Sequence, residues 1–176
     1  MQPITKETEV QHGRSLIRDM MLQSSAHGYE FDAKWVQGRG WKVVPVEDTC
    51  HFAPIEITTI VRALRLAGID EIFAVASESV DPAPACYRLL VAEEEFRHFN
   101  SECGLLRFVL TCENRSWAIS CNEWYNLFAG TPELLEALLG ESIEEARQEF
   151  RDFAVLLAEG NAEAPLMLVA DHYAAL

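Results

Sequence analysis

Lysine is scarce in this chain: of 176 residues only Lys6, Lys34 and Lys42 are lysines, and all three precede residue 43. Lys and Arg together number 14 against 28 Asp and Glu, a formal charge of −14. Phosphate backbones and anionic lipid need clustered cations, so neither nucleic acid nor a membrane surface is expected as a partner. Long apolar runs are also missing. None approaches the roughly 20 residues that span a bilayer, and the opening MQPITKETEV has no apolar signal core. The expectation is a cytoplasmic protein. Paired cysteine spacings are absent too. Cys50, Cys86, Cys103, Cys112 and Cys121 are odd in number and dispersed, as reduced thiols would be. Cys112 and Cys121 have a possible approach across a hairpin, with small apolar core residues as the competing reading. No CxxC, HxH or HExxH occurs, so no metal is expected. No glycine-rich phosphate loop or GxSxG elbow occurs either, so neither a cofactor nor a catalytic nucleophile announces itself.

What remains is a chain long enough for one substantial core, read as a single α+β domain over 1–176. Residues 53–176 form its acidic core. Residues 1–52 form an N-terminal helix and hairpin extension. The charge is divided unevenly between them: six basic and seven acidic residues in 1–52, eight and twenty-one in 53–176.

The clearest architecture runs from Cys103 to Gly140. Leu106, Phe108, Leu110 and Cys112 alternate with Arg107, Val109, Thr111 and Glu113, the period of a strand with one better-buried face. Glu113 to Ser116 are turn formers. Trp117, Ile119 and Cys121 alternate again, and Trp124 to Ala129 supply a third strand after a turn at Asn122-Glu123. This predicts an antiparallel three-stranded meander. Thr131-Pro132-Glu133 then opens a helix over 132–139, with Thr131 as its cap and Gly140 as a left-handed stop. Ser142 and Glu145 form a capping box for a helix over 143–158, and the two helices are expected to cover one face of the sheet.

Earlier in the chain, residues 1–13 read as a loosely docked polar start. Leu16, Ile17, Met20 and Met21 predict a helix within 14–23. Tyr29, Phe31, Ala33 and Trp35 alternate as a strand, and 41–46 is its hairpin partner, with Pro45 at its end or edge. Pro54 begins a helix with Ile57, Ile60, Val61 and Leu64 on its core stripe. A buried strand follows at 72–76, a strand at 86–91, and a helix at 92–100 whose first turn holds Glu93-Glu94-Glu95. Residues 165–170 read as a final strand, with a short helix in close competition. The sheet is expected to be built around 72–128, with the 54–67, 132–139 and 143–158 helices against it.

Functional signals are sparse. Asp48, Cys50 and His51 bring a carboxylate, a thiol and an imidazole together, but adjacent extended residues point apart. His172 beside Asp171 belongs more simply to a solvated tail. Trp117, Trp124, Tyr125 and Phe128 on adjacent strands make an aromatic platform. Its competing reading is a core packed under helices, for Trp117 above all. The candidate binding face is Trp117, Glu123, Trp124, Tyr125, Glu133 and Glu136. Three functions are expected in order: a non-enzymatic inhibitor- or immunity-like module that binds a basic protein through this face, a small-molecule sensor with a pocket between sheet and helices, and a thiol-dependent enzyme centred on Cys50 or Cys103. A homodimer is compatible with each.

Overall fold

The computed structural model describes residues 1–24, 28–47, 51–77, 84–104, 106–122, 124–159 and 166–176. In chain order the elements are β1 (Gln2–Pro3), α1 (Glu7–Arg18), β2 (Met21–Ser24), β3 (Gly28–Phe31), α2 (Ala33–Gly38), β4 (Lys42–Glu47), α3 (Pro54–Leu66), β5 (Glu71–Ala76), β6 (Cys86–Leu90), α4 (Glu93–Cys103), β7 (Phe108–Thr111), β8 (Trp117–Cys121), β9 (Tyr125–Gly130), α5 (Pro132–Leu139), α6 (Ile143–Glu159) and α7 (Leu166–Ala174). Seven strands form one sheet in the order β1-β6-β5-β7-β8-β9-β4, and every pairing is antiparallel. The expected α+β class and the β7-β8-β9 meander are both present.

The sheet is buried on both faces. One core joins Ile72, Leu110, Ile119 and Phe128 to α3, α4 and α5. The other joins Phe73, Val75, Val109 and Leu127 to α1, the β2–β3 hairpin, α2 and α7. All residues of β7, β8 and β9 are consequently buried, where alternation predicted one better-buried face. The expected coverage by two helices is also revised. α5 lies on one face, whereas α6 bridges the sheet edge: Ile143 and Ala146 belong to the first core, Phe150 and Ala154 to the second.

The helix starts follow from their residues. Pro54 sits in the first turn of α3, and the Ala53 N–H donates to Glu56 at 2.6 Å. The Ser142–Glu145 capping box forms as expected, with the Glu145 N–H donating to Ser142 Oγ and the Ser142 N–H to Glu145 Oε2, both at 3.2 Å. Gly140 takes φ 83°, the left-handed stop. Thr131, however, makes no capping hydrogen bond through its side chain.

The N-terminal third departs most from expectation. A helix and a hairpin are there, with different members. β2 pairs with β3, and the strand predicted to reach Trp35 stops at Phe31. Asp32 is the reason: its carboxylate accepts from the Trp35 N–H at 2.8 Å and caps α2. The 41–46 segment therefore has no partner there and pairs with β9 instead, as an edge strand of the main sheet. Nor is the start loose: β1 pairs with β6, and α1 begins at Glu7. The end of the chain is the helix α7. Cys86, Cys103 and Cys112 are buried thiols, and Cys121 is buried as well. The Leu110–Ile119 pairing puts Cys112 and Cys121 at opposite ends of the β7–β8 hairpin, so they are core residues.

Candidate functional site: an acid-rimmed cavity at the open edge of the sheet

β4 is the outermost strand on its side, so half of its backbone groups point away from β9. Arg147 of α6 occupies one of them. Its guanidinium donates to the Val43 carbonyl at 3.0 Å and to the Tyr173 carbonyl of α7 at 2.8 Å. Pro45 follows Val43 by two residues and shares its orientation, so its missing N–H falls on the unpaired side and removes no ladder bond. Lys42 Nζ donates to the main-chain oxygen of Leu176 at 2.7 Å. The first part of the edge is thus closed by α6 and α7.

Beyond that cover the edge opens onto a cavity of about 280 Å³. Its apolar walls are Val46, Phe128, Leu138, Leu139, Ala146 and Phe150, and its acidic groups are Glu47, Glu56, Glu141 and Glu149. These residues come from β4, α3, β9, α5, α6 and, for Glu141, the link between α5 and α6, which meet because α6 turns around the edge. Burial raises the Glu141 pKa, and the nearby Glu149 and Glu145 carboxylates raise it further. Glu145 is held below the usual range by its two bonds to Ser142. Arg147 is the one basic residue in 132–149, against six glutamates. With its guanidinium turned onto two carbonyls, it gives the rim no countercharge, and the exposed Arg62 of α3 lies in a neighbouring pocket that Glu141 also lines.

A second polar site lies at one end of the sheet. The Ser77 N–H donates to the Arg107 carbonyl at 2.9 Å and the Asn122 N–H to the Tyr125 carbonyl at 3.1 Å, extending the β5–β7 and β8–β9 ladders. Tyr125 in turn pairs with Glu47. Ser77, Arg107, Asn122, Tyr125 and Glu47 therefore form a row across five adjacent strands. Burial and the Glu30 carboxylate push the Tyr125 hydroxyl pKa up, with Arg107 opposing. Burial and Glu30 do the same for Tyr173. Both hydroxyls stay protonated at neutral pH. Tyr173 Oη accepts from the Phe31 N–H at 3.3 Å, whereas Tyr125 Oη has no hydrogen-bond partner among the described residues.

The aromatic and acidic residues singled out in the sequence are dispersed. Trp117 is fully buried in the core, and Tyr125 is 3% exposed. Trp124, at 51%, stands in solvent just before β9. Glu133 and Glu136 are exposed on α5, which begins after the far end of β9. The length of that strand, about 20 Å at roughly 3.4 Å per residue, separates the attachment points of Trp124 and Glu133. Glu123, Asp48 and Cys50 lie outside the described residues, and His51 is exposed. Cys103 is buried beside Tyr87, and burial pushes its thiol pKa up to about 11, which leaves no thiolate for neutral-pH chemistry. Sequence reading missed Val46, Glu47, Glu141 and Glu149 at the cavity and Arg107 and Asn122 in the row. The latter two had a signal, being polar residues at the ends of otherwise apolar strands.

Among the described residues no cluster of His, Cys, Asp and Glu could hold a metal ion, and no helix is long and apolar enough to cross a membrane. No family model, curated protein or solved structure matches the chain.

Proposed function

We propose that the protein is a non-enzymatic interaction module whose acidic α5–α6 face binds a basic protein. One observation carries this reading: along 132–149 Glu133, Glu136, Glu144 and Glu149 are exposed and form no salt bridge among the described residues, with the exposed Arg62 of α3 beside Glu136 as the neighbouring cation, while several other basic side chains are engaged elsewhere. Arg39 and Arg115 lie over the Trp35 ring at 4.3 and 4.8 Å. Arg65 donates to the Val91 carbonyl, and Arg88, Arg97 and Arg151 pair with Glu71, Glu93 and Asp171. A predominantly acidic surface of this kind accelerates encounter with an oppositely charged partner and selects against acidic ones. The test is retention of lysate proteins on the tagged chain, eluted along a salt gradient. The expected result is a basic protein released at moderate salt, and retention that is indifferent to salt would contradict the reading.

A second reading, a small-molecule sensor, is favoured by the buried Tyr125 hydroxyl that no described group satisfies. A buried polar group without a partner costs about 1–3 kcal/mol, which a polar ligand reaching the row would recover. A thermal-shift rise with a polar metabolite, abolished in Tyr125→Phe, would support it; no rise across a metabolite library would remove it.

A further inference from the structure

We propose that the cavity at the end of β4 is a socket for a single extended cationic side chain, a lysine or arginine carried by the basic protein partner. This rests on the reading of the acidic face above. Its size decides first. A volume of about 280 Å³ falls just below the roughly 300–1,000 Å³ of small-molecule and cofactor pockets. It accommodates one long arm better than a folded ligand. Its chemistry suits an arm that lies along the wall and keeps its head group at the mouth, since Glu47 and Glu149 are exposed whereas Phe128, Leu138 and Phe150 are buried. Val46, Phe128 and Leu139 offer apolar wall to the methylenes, and Glu47, Glu141 and Glu149 offer carboxylates to the head group. A neutral apolar side chain would leave those carboxylates unanswered, and an acidic one would be repelled.

The electrostatics complement a cation from outside. Arg147, the nearest basic residue in sequence, is committed to the Val43 and Tyr173 carbonyls. Glu56 spends one oxygen on the Ala53 N–H, and Glu145 is bonded to Ser142. Glu141 and Glu149 therefore repel one another across the rim, and an ammonium or guanidinium between them relieves that repulsion. Strand addition by the partner is excluded along most of β4, since the Val43 carbonyl is occupied and Pro45 has no N–H to offer. A side chain entering the cavity needs neither.

The full-length ¹⁵N-labelled protein is titrated with the capped tripeptides Gly-Lys-Gly and Gly-Arg-Gly, and with a norleucine analogue as the neutral control. The expected result is saturable shifts at the amides of Val46, Glu47 and Leu139 to Ser142 with at least one cationic peptide and none with norleucine. Two variants separate shape from charge. Val46→Phe fills the wall and keeps every charge, whereas E141Q/E149Q keeps the shape and removes the rim. Each should weaken cationic peptide binding about fivefold, the worth of roughly 1 kcal/mol. The socket is overturned if the shifts scatter over all exposed carboxylates without saturating, if norleucine binds equally, or if Val46→Phe binds as wild type does. Capture of a basic protein that survives Val46→Phe but is lost when Glu133, Glu136, Glu144 and Glu149 become Gln would leave the acidic face standing without the socket. Saturable peptide binding with no protein captured at all would remove the partner and leave the socket as a cation site.

Discussion

Arg147 on α6 and Val43 on β4 are joined by a 3.0 Å hydrogen bond that closes the outer edge of the sheet. The same guanidinium holds the Tyr173 carbonyl of α7 at 2.8 Å, so one side chain ties three elements together. Burial lowers its pKa without discharging it. Both the shape of the cavity and the single sign of its rim depend on this inward turn.

Arg147→Met should therefore destabilise the fold by about 2–4 kcal/mol, since two carbonyls lose a charged donor. Arg147→Lys, with one donor group in place of a fork, should fall between them. The urea midpoint at unchanged slope measures both. A loss below about 0.5 kcal/mol, the usual range of unremarkable surface changes, would show that the edge is closed by packing alone.

Gly13 is the buried small residue of α1, and a Cβ placed on it would lie 3.2 Å from Cys86 Sγ. Gly13→Ala should destabilise, because crowding in a packed core at about 1–3 kcal/mol outweighs the roughly 1 kcal/mol gained in helix propensity. In a Cys86→Ala background the same change should become stabilising by up to about 1 kcal/mol. Equal effects in the two backgrounds would refute the contact.

Two tyrosines on one core make opposite predictions. Tyr173→Phe removes the acceptor of the Phe31 N–H and should cost about 1–3 kcal/mol. Tyr125→Phe removes a buried hydroxyl with no described partner and should be neutral or stabilising. Denaturation of the ligand-free protein reads both, and a cost of over 1 kcal/mol for Tyr125→Phe would mean its hydroxyl is satisfied.

The rim and the capping box respond to pH with opposite signs. The Glu141 pKa is raised in the folded state, so between the unfolded and folded values the native state binds more protons, and stability falls as pH rises through that window. Glu141→Gln should stabilise at pH 7 and lose that advantage below the unfolded carboxylate range, near pH 4. The Glu145 pKa is lowered by Ser142, so its contribution is present above the unfolded value and lost as pH falls through the folded one. Ser142→Ala should destabilise at pH 7 and progressively less in acid. Thermal midpoints across pH 3–8 check both, and parallel curves for the variants and wild type would contradict them.

The meander, α5 and α6 were legible because alternation, a capping box and Gly140 each act within a few residues. Asp32 was legible in principle as a cap, but the alternation from Tyr29 to Trp35 masked it. The start of α1 at Glu7 has a weak signature because its buried stripe passes through Gly13, which carries no hydrophobic signal. Burial of the sheet on both faces was hidden by Arg107, Thr111, Ser120 and Asn122, whose polarity resembles a solvent-facing alternation. The cavity had no local signature at all. Val46 and Glu149 are brought together by the turn of α6 around β4, and that turn is held by contacts between residues about a hundred positions apart, such as Val43 and Arg147.

The acidic face is tested most directly by comparing wild type with the variant in which Glu133, Glu136, Glu144 and Glu149 are all Gln. Both tagged proteins are incubated with native lysate and eluted along the same salt gradient. The account predicts a basic protein on wild type, released at moderate salt and absent or released much earlier from the variant. The same proteins eluting at the same salt from both would contradict it.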